Sequence, residues 1–434
     1  MNFNKILPVI TLGYGVSIFP LFLLMGPLIS EIFLIFLVLF FLFSTIIEKK
    51  NYLTNKFIIF FGLFYISTLF STLLNFYNFD YAKAGILYFR IPLFAFSIWF
   101  VLDRYNLFNK KIVFFYTIFL LSIVFDSLFQ FYSGQNLIGY EIISNRISSF
   151  FKDELILGGF LTRVIPIFLL HLVMTNIINE KKINIYFTGI ISLICLIVYL
   201  SGERVSFFLL ILFFSLIFFA IKHLRKFIIL ISITSIFLSL IIQYVKNPED
   251  LNPANRMFSK TYAQIIGKGA ESHEKYKKKI FNKVYIFSHD HHGHYSLASK
   301  MILDYPIFGT GVKGFRYLCR NKIYILENND GCSTHPHNTY IQIFSSNGIV
   351  GLVLIIIAFF YVSKEIIRIR KKINLEENFN KFEVSRIILL SAIFVNIWPL
   401  IPSGNFFNNW LSMMYFYPIG YYLYFKHIDE KKIN

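Results

Sequence analysis

The sequence predicts an all-α polytopic membrane protein of about twelve transmembrane helices, with one large hydrophilic loop before the last three. Three observations predict it. Of the 434 residues, 56% are hydrophobic and only 15% are charged, with a mean hydropathy of +0.60; soluble domains run about 45–50% apolar and about 25% charged. The apolar residues come in blocks of roughly 17–22, the length at which a helix crosses about 30 Å of hydrocarbon. A single long polar stretch, about residues 246–347, interrupts them late in the chain.

The expected spans lie at about 6–24, 27–46, 57–76, 84–102, 112–132, 156–178, 185–200, 205–221, 227–245, 348–366, 385–401 and 407–425. The first reads as a span rather than a signal peptide: no small-x-small cleavage site follows it, and Gly26-Pro27 leads straight into the next apolar run. The chain therefore divides into 1–245 (nine spans), 246–347 (the loop) and 348–434 (three spans and a tail). Orientation follows from the short connections. One set is basic: Lys49, Lys50 and Lys56; Arg104, Lys110 and Lys111; Lys181 and Lys182; Lys222, Arg225 and Lys226; and the run from Lys364 to Lys381. The opposite set holds only Lys83, Arg146, Lys152 and Arg204. The basic set is assigned to the cytoplasm, with both termini inside and the long loop outside.

The formal charge of +18 thus marks topology. No basic, aromatic-interleaved soluble module is present, so no nucleic-acid partner is expected. Residues 246–338 carry 14 Lys and Arg against 8 Asp and Glu; long loops cross regardless of charge, so this excess does not oppose the orientation. A loop of this length is expected to fold. One helix is expected from Asn252, a good N-cap followed by Pro253, to about Ile266, and another over Tyr295–Leu303.

Candidate site residues cluster at the outer connections. In Ser201-Gly202-Glu203-Arg204, Ser201 is the expected N-cap of the following helix and Glu203 suits its first turn. Arg204 then sits at a helix N-terminus, where dipole and guanidinium together favour an anion such as phosphate. The bland alternative is an arginine snorkelling to headgroups. Arg146 lies in another outer connection and Arg163 just inside the sixth span; surface charge is the competing reading for Arg146. Arg90 and Asp126 lie within spans and are expected either to pair or to face a polar cavity. The run His289-Asp290-His291-His292-Gly293-His294 resembles a metal site, but consecutive histidines without a completing Cys or Glu fit polar loop residues better, and no metal is expected. Cys195 lies within a span and reads as a small core residue; Cys319 and Cys332, both in the loop, are a disulfide candidate if the loop faces an oxidising compartment, worth roughly 3 kcal/mol.

The most informative stretch is Cys332-Ser333-Thr334-His335-Pro336-His337-Asn338-Thr339-Tyr340-Ile341-Gln342, which runs into the span at Gly348. It holds titratable histidine at a membrane surface. Pro336 biases His335 to an extended backbone, and Asn338 or Thr339 can cap a helix running to Gly348. A neutral imidazole at His337 can take a proton from an acceptor hydroxyl; the competing reading is a hydrogen-bonding loop histidine.

With these residues in view, the chain resembles the O-antigen ligase and polymerase family. The likeness rests on the turn Ser201–Arg204, on Asp304-Tyr305-Pro306-Ile307-Phe308-Gly309-Thr310-Gly311, on His337-Asn338-Thr339-Tyr340-Ile341-Gln342 and on Asn347-Gly348-Ile349-Val350-Gly351, in that order, over about residues 140–365. The resemblance implies a GT-C-like, metal-independent glycosyltransferase of the bacterial inner membrane, working without a cofactor at the periplasmic face. Its donor would be a glycan on undecaprenyl pyrophosphate. Arg204, with Arg146 and Arg163, would hold the donor's phosphates; His337 would be the catalytic base, with His335, Asn338 and Glu203 in support. The doubled histidine leaves the base at either His337 or His335. The acceptor would be lipid A–core in a ligase or the growing glycan in a polymerase. A lipid-linked glycan transporter is the alternative from another class, opposed by the absence of repeated halves.

Overall fold

The computed structural model describes residues 12–48, 52, 55–179, 184–245, 253–259, 261–262, 289–324, 331–375 and 379–433. Among these residues no strand is present beyond two isolated β-bridges, and the architecture is helical throughout. The helices are α1 (Phe19–Met25), α2 (Pro27–Glu48), α3 (Lys56–Leu74), α4 (Phe79–Ile86), α5 (Arg90–Arg104), α6 (Lys110–Ser133), α7 (Leu157–Met174), α8 (Ile185–Leu200), α9 (Arg204–Ala220) and α10 (Arg225–Val245). They continue with α11 (His289–Asp304), α12 (Gly314–Leu318), α13 (Thr339–Leu375), α14 (Lys381–Asn396) and α15 (Asn409–Ile433). Asparagine starts many of them: the side-chain carbonyls of Asn55, Asn78, Asn109, Asn184 and Asn380 accept the otherwise orphaned amides of the first turns.

Among the described residues, seven helical stretches are long and apolar enough to cross a membrane. The chain is a multi-pass membrane protein. The expected spans at 185–200 and 205–221 appear as α8 and α9, apolar but only 16 and 17 residues long. The expected span at 385–401 is α14, which ends at Asn396 and carries buried Glu383 and Arg386. Part of the first expected span lies outside the described residues. The expected 252–266 helix lies partly outside them too; within them, Asn255–Ser259 form a π-helical turn. The expected 295–303 helix lies within α11.

α7 is the central post of the bundle. Its side chains are buried almost all round, and it packs against α8, α9 and α14, whereas α2 and α10 turn most of their residues outward to lipid. A helix apolar on every face belongs either in such a centre or in lipid. α13, α14 and α15 are bound at one end by charge. Arg386, 2% exposed, pairs with Glu383 (2.9 Å), Asp429 (2.7 Å) and Glu365 (3.7 Å), and Lys372 reaches Glu383 at 2.5 Å. Removing one partner of such a buried set leaves a stranded charge. The pair expected between Arg90 and Asp126 does not form. Arg90 pairs with Glu31 of α2, the nearer carboxylate. Asp126 instead accepts from Leu137 N (2.9 Å), Ser149 Oγ (2.5 Å) and Asn136 Nδ2 (3.3 Å), and so pins the connection between α6 and α7.

α13 is broken at Gly348, whose φ of 64° and ψ of −161° lie outside the helical region. The break frees carbonyls that must find donors. Thr310 N donates to Ser345 O (2.8 Å), Gly311 N to Ser346 O (2.9 Å), and Ile349 N to Pro306 O (2.9 Å). From α3, Ser71 Oγ donates to Ser346 O (2.5 Å), and Asn75 Nδ2 to Gly309 O (2.9 Å). Two glycine-bearing segments thus dock backbone to backbone. A Cβ on Gly348 would collide with the Ile307 carbonyl, and one on Gly309 with the Ser346–Asn347 peptide. Gly348→Ala is accordingly expected to destabilise the protein by at least about 2 kcal/mol through left-handed backbone strain and this collision. Thermal unfolding in detergent should show a lowered midpoint, and an unchanged midpoint would refute the docking.

Candidate functional site

Two groups of side chains stand out: guanidiniums around the turn between α8 and α9, and a stack of imidazoles ahead of α13. The turn begins where α8 stops. Ser201 closes α8, its Oγ donating to Val198 O (2.8 Å) and accepting from Glu203 N (3.3 Å). It was expected to cap the following helix; instead Glu203 occupies the N-cap position of α9 without capping it, and Arg204 is the first helical residue. The Glu203 carboxylate serves a different helix. It accepts from Gly158 N (2.7 Å), Gly159 N (2.9 Å) and Ser206 Oγ (2.8 Å), filling the positive N-terminus of α7.

Arg146 and Arg256 close over Gly202. Its φ of +68° suits glycine, and an added Cβ would lie 2.8 Å from Arg256 Cδ and 3.3 Å from Arg146 Cγ. Arg146 Nε donates to Ser201 O (3.2 Å) and its Nη2 to Leu155 O (2.9 Å), 3.6 Å from Glu203 Oε1. Arg256 Nε donates to Gly202 O (3.0 Å). Burial holds the Arg146 pKa below its usual value, opposed by Glu203 and reinforced by Arg256 and Arg204; burial does the same to Arg256. Guanidiniums remain charged through such shifts. Among the described residues, Arg146, Arg204 and Arg256 gather near the Glu203 carboxylate, and clustered guanidiniums suit a polyanion. Arg256 was not singled out from the sequence, because one arginine in a basic loop gives no local signal.

Arg163, the other donor-binding candidate, is used internally. Its Nη1 donates to Gly159 O (2.8 Å), its Nε to Asn396 Oδ1 (3.1 Å), and its guanidinium lies 5.3 Å from the Tyr415 ring centre. It braces α7 against α14 and α15 close to the Glu203 carboxylate, since a Cβ on Gly159 would touch both side chains.

The imidazole stack is built by the segment 399–406 and by a disulfide. Cys319, at the end of α12, is paired with Cys332, with Cα atoms 5.1 Å apart, which fixes the entry to the His segment. Asn338 caps α13 by accepting from Tyr340 N (3.0 Å) and Ile341 N (3.1 Å), and donates to Pro399 O (2.9 Å) and Ile401 O (3.2 Å). Gln342 bonds Asn405 Oδ1 (2.6 Å) and Phe406 N (2.9 Å). His337 adopts a left-handed φ of 57°, and Ser403 N donates to its carbonyl (2.8 Å).

The two histidines differ in what they have left to offer. His335 is 6% exposed, and its Nε2 lies 3.1 Å from Ser403 O. A carbonyl only accepts, so Nε2 carries the proton, and Nδ1 accepts from Thr334 Oγ1 (2.8 Å). Both nitrogens of His335 are thus spent on the protein. His337 contacts only a hydroxyl through Nε2, Ser333 Oγ at 3.1 Å. Its ring packs on His335 (centroids 4.0 Å), His294 (4.9 Å, stacked) and His291 (5.7 Å). His294 Nδ1 in turn donates to Gly331 O (2.9 Å). Burial, then His335, His294 and His291, lower the His337 pKa to about 3; burial lowers that of His335 to about 4. His337 is therefore held neutral, with a lone pair free of ionic partners.

His291 and His294 come from the run read as polar loop residues. That run instead opens α11. The overlooked signal was the three-residue spacing of His291 and His294, which places them on one helical face. Among the described residues no group of three or more His, Cys, Asp and Glu side chains is arranged to hold a metal ion, the imidazole stack included.

The comparison with known families bears on these residues. No curated protein sequence matches the chain. The O-antigen ligase family model matches residues 189–356. The match runs from α8 past the break in α13 and takes in Arg204, Arg256, the disulfide, the imidazole stack and both docking glycines, but neither Arg146 nor α14 and α15. Over this stretch, less than half of the chain, the protein is similar to the O-antigen ligase family.

Proposed function

We propose that this protein is a glycosyltransferase of the bacterial inner membrane. It moves a glycan from undecaprenyl pyrophosphate to a hydroxyl of lipid A–core at the periplasmic face, in a GT-C-like fold of about twelve spans with both termini in the cytoplasm. The observation that carries the reading is His337: a neutral imidazole, held by backbone contacts, in the same matched stretch as Arg204 and Arg256 of a guanidinium cluster suited to pyrophosphate.

The chemistry divides between the two groups. Arg204, Arg256 and Arg146 hold the donor's phosphates and stabilise the charge that grows on them as the glycosidic bond breaks. The acceptor oxygen attacks the anomeric carbon while His337 takes its proton. The new carbon–oxygen bond replaces the bond to phosphate, whose electron pair leaves with undecaprenyl pyrophosphate. Cationic side chains supply the leaving-group stabilisation, and the step draws on no metal or cofactor. His335 and Asn338 position His337, and Glu203 positions the turn that carries Arg204. A repeat-unit polymerase would use the same groups with the growing glycan as acceptor.

His337→Ala is expected to lower transfer by about 10²–10⁴-fold, as for loss of a general base. Arg204→Ala is expected to cost about 10²–10³-fold, as for loss of one charge-stabilising donor. Both variants should stay inserted and abundant; transfer retained by both would overturn the site. Because the folded-state pKa of His337 is lowered, its base form persists as pH falls. Transfer by purified protein should therefore stay nearly level from about pH 8 to about pH 5, with no loss near the ordinary histidine pKa. Gene deletion should leave bare lipid A–core with long glycan accumulating on the carrier. Core bearing single repeats, without long carrier-bound chains, would mean a polymerase. Normal glycan transfer, with defective movement of the lipid-linked sugar, would mean a transporter.

A further inference from the structure

A cavity of about 680 Å³ lies between α3, α13, α14 and α15; its inner end reaches Asn396 and Tyr415, which Arg163 contacts, and Phe406 of the segment beside the His stretch. Its wall is apolar, with Phe60, Ile355, Ala358 and Ile419 among the lining side chains. One end is charged: Lys56 at the start of α3, and Lys426 and Glu430 near the end of α15. Lys426 Nζ donates to Tyr361 Oη (2.7 Å) and lies 5.1 Å from the centre of the Phe57 ring. Behind it, Tyr361 Oη meets Tyr422 Oη (3.0 Å), which reaches Glu365 Oε2 (3.4 Å) in the Arg386 network. The lysine head is thus held at the cavity mouth by a phenol and aromatic faces, and the mouth carries two cations against one carboxylate.

The two ends of α7 separate this mouth from the arginine cluster. Glu203 meets the N-terminus of α7 at Gly158, whereas His171 in its last turn packs on Tyr421, five residues before Lys426. At 1.5 Å per residue, the 18 residues of α7 span about 27 Å. A lipid whose phosphate sat in the arginine cluster would leave the lysine mouth without an anion. We propose that the cavity holds an acyl chain of an anionic phospholipid from the opposite leaflet, with its phosphate on Lys56 and Lys426. The chain replaces lipid contacts along the apolar wall, and the lysines select the charged headgroup. The inference stands on the cavity and its charges and does not depend on the transfer reaction.

The test is native mass spectrometry of the full chain in detergent, titrated with phosphatidylglycerol or phosphatidylcholine of equal chain composition. Phosphatidylglycerol should be retained preferentially. Lys56→Gln with Lys426→Gln should weaken its retention roughly 30-fold, at the usual contribution of a basic residue near an anionic headgroup. Lys371→Gln, an exposed control, should leave it unchanged. Ala358→Trp should block the chain while sparing both lysines. Equal retention of the two lipids would overturn the proposal, as would an unaffected double lysine variant. Displacement of phosphatidylglycerol by undecaprenyl phosphate at equal concentration would assign the cavity to the polyprenyl chain instead.

Discussion

The break in α13 is the constraint on which the rest depends. A helix broken where its backbone is buried cannot leave the peptide groups it frees without partners. Here the freed carbonyls are met by Thr310, Gly311 and Ser71, and this requires two chain segments to approach with no side chain between them. Gly309 and Gly348 permit the approach. The break turns the first half of α13 toward segment 399–406, and the His segment hangs from that half.

Electrostatics then differentiates the molecule from end to end. At one end of α7, Arg146, Arg204 and Arg256 lie near Glu203, whose carboxylate is engaged by the helix terminus. At the other, Arg386 is matched by Glu383, Asp429 and Glu365, so that charge ties helices together. At the second end the acids pair with arginine across three helices; at the first the acid pairs mainly with backbone amides.

Much of this was legible in the sequence where periodicity and local chemistry act. Block length gave most of the helices, Asn338 read correctly as a cap, and Cys319 and Cys332 read as partners. The special place of Arg204 followed from its position at a helix start. What stayed hidden depends on contacts between distant segments. Arg256 reaches the Ser201–Arg204 turn across more than fifty residues. Ser403 distinguishes the two imidazoles, its carbonyl engaging the His335 ring while its amide holds only the His337 backbone, and no local pattern announces that. The Arg90–Asp126 pairing failed for the same reason: Glu31, far away in sequence, was nearer in space.

The contacts of the His segment also bear on biogenesis. His335, His337 and Asn338 are held by Pro399, Ile401 and Ser403, which a ribosome translates some sixty residues later. The arginine cluster is complete once Arg256 has emerged, but the His segment lacks its braces until α14 has been inserted and the chain has turned back toward α15. On the proposed function, a chain that stopped short of residue 399 would carry the arginines for the donor's phosphates with its base unbraced.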